Sequence, residues 1–222
     1  MSLAGFQQAL TAMTLNAALA AAVRRQGSCQ LQRWPLTALE QRRLVAMAQQ
    51  PGMELNCTLA RGNRFAAVHD AYAMTCALLG PALRGVLDAL WSSQLPSSVQ
   101  LAGDAERFAE VAWAHAHTLP SDQLRAYLRD VLAYEQQACE LALSVRHMPD
   151  PEHASSPPRW VSFEHDPQAL FEALQAFQPP PADLPRVPHR VRLALVDGEL
   201  ETAIFEVTTP AAQGRSGAWG HS

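Results

Sequence analysis

The chain has 222 residues, enough for one large or two small domains, and 48% of them are hydrophobic, which excludes an intrinsically disordered protein. All 17 basic residues are arginine, and a net charge of −4 with a pI near 6.0 argues against a dedicated nucleic-acid-binding protein. Polar residues interrupt the Ala-rich stretch 3–23, so neither a signal peptide nor a membrane span is expected, and we predict a cytoplasmic protein.

The apolar pattern of residues 1–50 indicates an N-terminal helical extension. A single helix is expected over residues 2–26, ended by Gly27. Its predicted apolar face consists of Leu3, Phe6, Leu10, Met13 and Ala17. A second helix is expected to begin at the capping-box pattern of Thr37 and Glu40 and to end near Gln50.

Residues 51–148 predict a helical domain organised around the segment 56–91. Apolar residues recur there at spacings of three and four, which indicates one amphipathic helix from Asn56 to Gly80 and a second that begins at Pro81. Two more helices follow, one from Gly103-Asp104 and a long one that Ser121 caps.

The composition changes after residue 148. Prolines and serines predict a linker over 149–158, and residues 159–209 predict a small β-α-β-β domain. Its helix is expected to begin at Asp166-Pro167, and Asp197-Gly198 is a strong β-hairpin signal. Residues 210–222, rich in Gly and Ser, are predicted to be a disordered tail. The predicted fold class is therefore α+β, mostly α.

Chemistry-bearing patterns are scarce. Cys29, Cys57, Cys76 and Cys139 form no paired motif, and the eight histidines show no metal-ligand spacing. No serine lies in a nucleophile-elbow pattern, and the glycines are scattered singly. We therefore predict no catalytic residue, no metal site and no cofactor in this chain.

Two surfaces remain as candidates for binding. Arg61, Gly62, Asn63 and Arg64 interrupt the apolar pattern of the central helix, either as a solvated face or as a polar cluster that fixes a partner or a neighbouring domain. We expect the second, with Gly62 allowing close backbone approach and Arg61→Ala weakening assembly or costing roughly 1 to 3 kcal/mol. The small sheet offers the other surface, because three strands leave an edge that can accept a peptide strand. The predicted peptide-binding residues are Arg192, Leu193, Leu195, Thr202, Ile204 and Phe205.

Residues 53–207 resemble the HvfC/TglI-type family, some members of which carry a DNA-binding label. Members commonly show an Arg-Asn-Asn motif after a Tyr, then an aromatic-Pro pair and a Leu-x-Gly helix end. The matching residues here are Arg61, Asn63, Tyr72, Leu78 and Gly80, followed on the long helix by Leu128, Val131, Tyr134 and Glu135. The chain departs from the pattern at Ala60, Gly62, Ala73 and Gln136.

The resemblance implies a non-catalytic subunit in the biosynthesis of ribosomally made, post-translationally modified peptides. Such proteins form a heterodimer with a TIM-barrel enzyme that holds two or three iron ions and oxidatively modifies cysteine in a precursor peptide. The iron and the chemistry belong to the barrel, while the small domain is similar to a leader-peptide recognition element. The expected partner-interface residues are Arg61, Asn63, Arg64, Tyr72 and Glu135.

Two alternatives stay open at this point. A DNA-binding transcriptional regulator would require a supported recognition helix, whereas the small domain predicts only one helix, and its arginines are few and interleaved with proline. A helical enzyme with an unrecognised site is the third possibility.

Overall fold

The computed structural model describes residues 3–93, 102–145 and 155–207. The fold is α+β and mostly α, as predicted. The helices are α1 (Leu3–Leu15), α2 (Ala17–Gln26), α3 (Ala38–Ala48), α4 (Pro51–Ala71), α5 (Ala73–Leu79), α6 (Leu83–Ser93), α7 (Ala102–Ala114), α8 (Asp122–Val145) and α9 (Pro167–Gln175). The strands are β1 (Arg159–Phe163), β2 (His189–Val196) and β3 (Glu199–Glu206). Most of the predicted linker and all of the predicted tail 210–222 lie outside the described residues.

The chain forms two compact units, Met1–Gln136 and Gln137–Ser222. The first 50 residues are not a separate extension, because α1, α2 and α3 share one apolar core with the start of α4. The boundary between the units lies inside α8 and not at the predicted linker. In the second unit, the Arg159 guanidinium at the start of β1 donates to Gln137 at 2.9 Å and to Glu140 at 2.5 Å.

The single helix predicted for residues 2–26 is divided at Asn16. Asn16 has extended backbone angles, and its side chain accepts a hydrogen bond from the Leu19 N–H, so it caps α2. Of the predicted apolar face, Met13 is buried and Phe6, Leu10 and Ala17 are partly buried against the same core, whereas Leu3 is 69% exposed. The core side of α1 also includes Gly5, Ala9 and Ala12. Small residues allow close packing there: a Cβ on Gly5 would lie 3.1 Å from the Pro35 carbonyl oxygen.

The Thr37–Glu40 capping box is confirmed, with reciprocal hydrogen bonds between the two residues. These bonds, first from the Thr37 backbone and then from its hydroxyl, lower the pKa of Glu40. The next helix begins at Pro51 and not at Asn56, because proline is well suited to the first helical position.

The central helix predicted to run as far as Gly80 breaks at Tyr72. Tyr72 has φ −138° and ψ 45°, so α4 ends there and α5 begins at Ala73. Gly80 ends α5 as predicted, with a φ of +48° that favours glycine. The stretch Ala73–Trp91 is long and apolar enough to cross a membrane by length and composition, and 44% of its most apolar window is buried in the structure.

In the second unit the three strands form an antiparallel sheet in the order β1-β2-β3. Asp197 and Gly198 both have positive φ, at 50° and 79°, which gives the tight hairpin predicted from Asp-Gly. Asp166 caps α9 by accepting from the Gln168 N–H. Phe177 follows the end of α9 and is 74% exposed. Helix α9 and the inner face of the sheet both contribute buried apolar residues. They are Leu170, Phe171 and Leu174 from α9, Val161 and Phe163 from β1, and Val191, Leu193 and Leu195 from β2.

Candidate functional site

Arg64 lies in the interior of the helical unit and not on its surface. Its Nε donates to Oδ2 of Asp104 at 2.5 Å and its second guanidinium nitrogen to Oδ1 at 2.8 Å. The two side chains are only 2% and 7% exposed, and the Arg64 guanidinium also lies 5.3 Å from the Trp91 ring centre. This bidentate pair joins α4 to the first turn of α7.

Glu135 of α8 binds the start of α5 at the break after Tyr72. Its two carboxylate oxygens accept hydrogen bonds from the backbone N–H groups of Met74, at 2.7 Å, and Thr75, at 2.9 Å. Burial raises the pKa of Glu135 to about 7, although the N–H donors of Thr75 and Met74 act in the opposite direction. The carboxylate therefore replaces the helical acceptors that the break removes.

These contacts change the interpretation of the predicted partner interface. Arg64, Tyr72 and Glu135 are 1%, 2% and 5% exposed, so they stabilise the helical unit internally and cannot contact a partner. Asn63 is exposed. Gly62 is exposed too, and nothing lies within 4 Å of a Cβ built on it, so the expected close backbone approach is absent at this residue.

Arg61 is the member of the predicted cluster that borders a surface groove. It forms an ion pair with Asp88 at 2.6 Å, and both side chains are half-exposed. The groove has a volume of about 480 Å³ and is lined by Arg61, Phe65, Pro81, Arg84, Leu87 and Trp91 among others. The buried indole N–H of Trp91 finds no acceptor in the part of the chain that the structure describes. Apolar walls with cations at their border are suited to a protein partner that presents carboxylate oxygens.

The β3 strand of the second unit is the longer outer strand of the sheet, with eight residues against five in β1. A two-residue hairpin makes Val196 and Glu199 a hydrogen-bonded pair, so the odd-numbered residues of β3 bond to β2. The Val207 N–H continues this pattern by donating to the Pro188 carbonyl at 2.9 Å. The backbone groups of Leu200, Ile204 and Glu206 therefore point away from β2, along the edge of the sheet.

The predicted peptide-binding residues divide between the core and the surface. Leu193 and Leu195 lie on the central strand and are 0% and 3% exposed, so they cannot line a peptide pocket as predicted. Apolar alternation identified them correctly as one face of a strand, but that face is buried. Thr202 and Phe205 are exposed and Ile204 is half-buried on β3, while Arg192 is half-buried on β2.

The outer face of the sheet carries an aromatic-arginine patch that the sequence analysis did not identify. We define the outer-face patch as Trp160, Arg190, Arg192 and Phe205. The Trp160 and Phe205 rings are 5.5 Å apart and each residue is 46% exposed, and the Arg190 guanidinium lies 5.2 Å from the Trp160 ring centre. In the sequence, the alternation of Trp160 and Ser162 with Val161 and Phe163 indicates that Trp160 lies on the outer face of β1. Placing Trp160 beside Arg190, Arg192 and Phe205 also requires the register between the strands.

The described residues offer little for nucleophilic or metal chemistry. Burial raises the pKa of the Cys76 thiol to about 12, and burial likewise raises that of Cys57. No group of three or more His, Cys, Asp or Glu residues suited to a metal ion occurs within residues 3–93, 102–145 and 155–207.

A scan of the chain against models of known protein families finds no match, and a search of curated proteins finds none either.

Proposed function

We propose that this chain is a peptide-recognition subunit that binds the leader of a precursor peptide as an added β-strand. The observation that carries the proposal is the β3 edge, where Leu200, Ile204 and Glu206 direct backbone donors and acceptors outward. β3 contains neither proline nor lysine, the residues that most often protect an edge strand from pairing. Its stretch 202–205 is also uncharged, so a peptide can pair there without meeting a carboxylate.

The charge of the second unit favours a peptide over DNA. Residues 155–207 contain four arginines and eight aspartate or glutamate residues. Arg159 is already bound to Gln137 and Glu140. Affinity for nucleic acid depends on neutralising many phosphates, which this balance does not favour. A DNA-binding regulator is therefore the weaker proposal.

We further propose that the subunit assembles with a TIM-barrel enzyme whose iron ions modify cysteine in the bound peptide. This part rests on the resemblance to the HvfC/TglI-type family. The helix interruption at Tyr72 supports the resemblance, because family members have proline at the next position. That position is Ala73, the first residue of α5, where proline is well tolerated. Of the matching residues, Tyr72, Leu78, Leu128, Val131 and Glu135 are buried, and they therefore bear on a common helical fold more than on an interface.

The groove beside Arg61 is the proposed partner surface. Arg61 and Arg84 supply cations, and Phe65, Leu87 and Trp91 supply apolar walls. A barrel enzyme that presents an acidic or carbonyl-rich loop would fit these groups. The N-terminal residues extend this surface, because a second groove that Arg61 borders is lined by Leu15, Asn16, Ala17 and Ala18.

Co-purification tests the assembly. The tagged chain is co-expressed with a multinuclear iron barrel enzyme encoded beside it, and the complex is analysed by gel filtration and elemental analysis. We expect a one-to-one complex in which the iron content corresponds to the amount of barrel enzyme. The chain purified alone should contain less than one metal ion per molecule. Arg84→Glu should reduce complex formation, with Arg42→Glu on α3, also exposed, as a charge-matched control outside the groove. Tightly bound metal on the isolated chain, or no complex, would contradict the proposal.

A further inference from the structure

The outer-face patch contains two arginines that have no acidic partner within residues 3–93, 102–145 and 155–207. Neither Arg190 nor Arg192 contacts a carboxylate among the described residues, although Arg190 lies against the Trp160 ring. Arg159 at the start of β1, by contrast, is bound to Glu140. Two unpaired cations beside two exposed aromatic rings form a local site for an acidic, partly apolar ligand within an otherwise acidic unit.

The register of the sheet determines which arginine can reach an added strand. Arg192 pairs across the ladder with Ala203, and Arg190 pairs with Phe205. A strand added beside β3 would lie two strand spacings, about 9 to 10 Å, from β2. The Ala203 methyl leaves that path open for the long Arg192 side chain, whereas the Phe205 ring occupies the path from Arg190.

Acidic residues of β3 limit where a ligand carboxylate can lie. Glu199 and Glu201 alternate with the inward-facing residues and lie on the same outer face, at the hairpin end of β3. A ligand carboxylate beside them would be repelled, while one beside Ala203 would be close to Arg192. An apolar side chain two residues along the ligand would then lie against Phe205.

We propose that the bound leader carries an aspartate or glutamate opposite Ala203, paired with Arg192, and an apolar residue on the same face that packs against Phe205 and Trp160. This inference rests on the proposed function and names the class of leader: an extended segment in which an acidic and an apolar residue lie two positions apart. The single leader residue between them would face the inner side of the sheet.

The test uses the full chain and a display library of random twelve-residue peptides. We expect the selected peptides to be enriched in an acidic residue two positions from an apolar one. One selected peptide and its acid-to-amide counterpart are then titrated by fluorescence anisotropy. The acidic form should bind about three- to tenfold more tightly to the parent chain. Arg192→Gln should abolish that preference, while Arg186→Gln, an exposed arginine before β2, should retain it.

The outcomes separate this inference from the proposed function. If Ile204→Pro abolishes binding but acidic and amide peptides bind equally, or if Arg192→Gln retains the preference, strand addition stands and the acidic site is refuted. If binding survives Ile204→Pro, or if no peptide is selected, both are refuted. Tighter binding of a twelve-nucleotide oligothymidine than of the selected peptide would also overturn the inference, in favour of a nucleic-acid ligand.

Discussion

Arg64 and Arg61 lie one helical turn apart on α4, and the structure predicts very different costs for their removal. Arg64→Ala would leave the Asp104 carboxylate buried, 7% exposed, without the two hydrogen bonds that compensate for its burial. Breaking a buried ion pair in this way costs about 3 to 5 kcal/mol. That is a large part of the 5 to 15 kcal/mol that typically stabilises a domain.

Arg61→Ala should cost far less. Arg61 and Asp88 are 42% and 49% exposed, and an ion pair that exposed contributes about 0.2 to 1 kcal/mol. From the sequence alone, we expected removal of the Arg61 side chain to cost roughly 1 to 3 kcal/mol. In the structure, Arg64 forms the buried ion pair that stabilises the unit, whereas Arg61 borders the surface groove.

Urea denaturation followed by far-UV circular dichroism at pH 7 measures both variants, with Arg61→Ala as the matched control. Should Arg64→Ala not fold, Arg64→Lys keeps the charge but loses the bidentate geometry, and the double variant Arg64→Met/Asp104→Leu removes both charges. The double variant should regain most of the stability that Arg64→Ala loses. Equal free energies of unfolding for Arg64→Ala and Arg61→Ala would refute the buried-pair argument.

Three further predictions concern the helix break, the buried carboxylate and the hairpin. Because the folded pKa of Glu135 is raised to about 7 from 4.5, its contribution to stability is complete below pH 4.5 and is lost as the pH rises through 7. The loss is at most about 3 kcal/mol, and urea unfolding between pH 4.5 and 8 should show it in the parent and in Glu106→Gln but not in Glu135→Gln. A parent curve no steeper than that of Glu135→Gln would contradict this. Ala73→Pro should change the free energy of unfolding by less than about 1 kcal/mol, whereas Ala77→Pro, inside α5, should cost about 3 kcal/mol or more; equal costs would exclude the break at Tyr72. Gly198→Ala should cost about 1 kcal/mol because φ is +79°, with Gly62→Ala neutral or stabilising as the control in thermal melts; a neutral Gly198→Ala would argue against the hairpin geometry.

Local sequence patterns were sufficient to predict helix ends and turns where a single residue type determines the backbone conformation. The Thr37 capping box, the Gly80 helix end, the Asp166 cap and the Asp197-Gly198 turn were all predicted and are present. Each depends on a side-chain cap or a positive φ that few residues satisfy.

Features that depend on distant contacts were not predictable in the same way. The break at Tyr72 is stabilised by Glu135, 61 residues from Met74, and the burial of Arg64 depends on Asp104, 40 residues away. Helical periodicity cannot distinguish an arginine on a solvated face from one whose partner lies on another helix. Alternation likewise grouped Leu193 and Leu195 on one face of a strand without showing that this face is buried.

The most direct test of peptide recognition is a titration of a leader peptide, selected from the random library, against the chain with proline in β3. Ile204→Pro removes an outward N–H and the half-buried side chain, while Ile204→Ala removes most of the side chain and keeps the N–H. We expect Ile204→Ala to bind the leader with nearly parental affinity and Ile204→Pro to lose binding by at least about tenfold, with both variants folded by circular dichroism. Equal leader affinities for the two variants would contradict strand addition at β3.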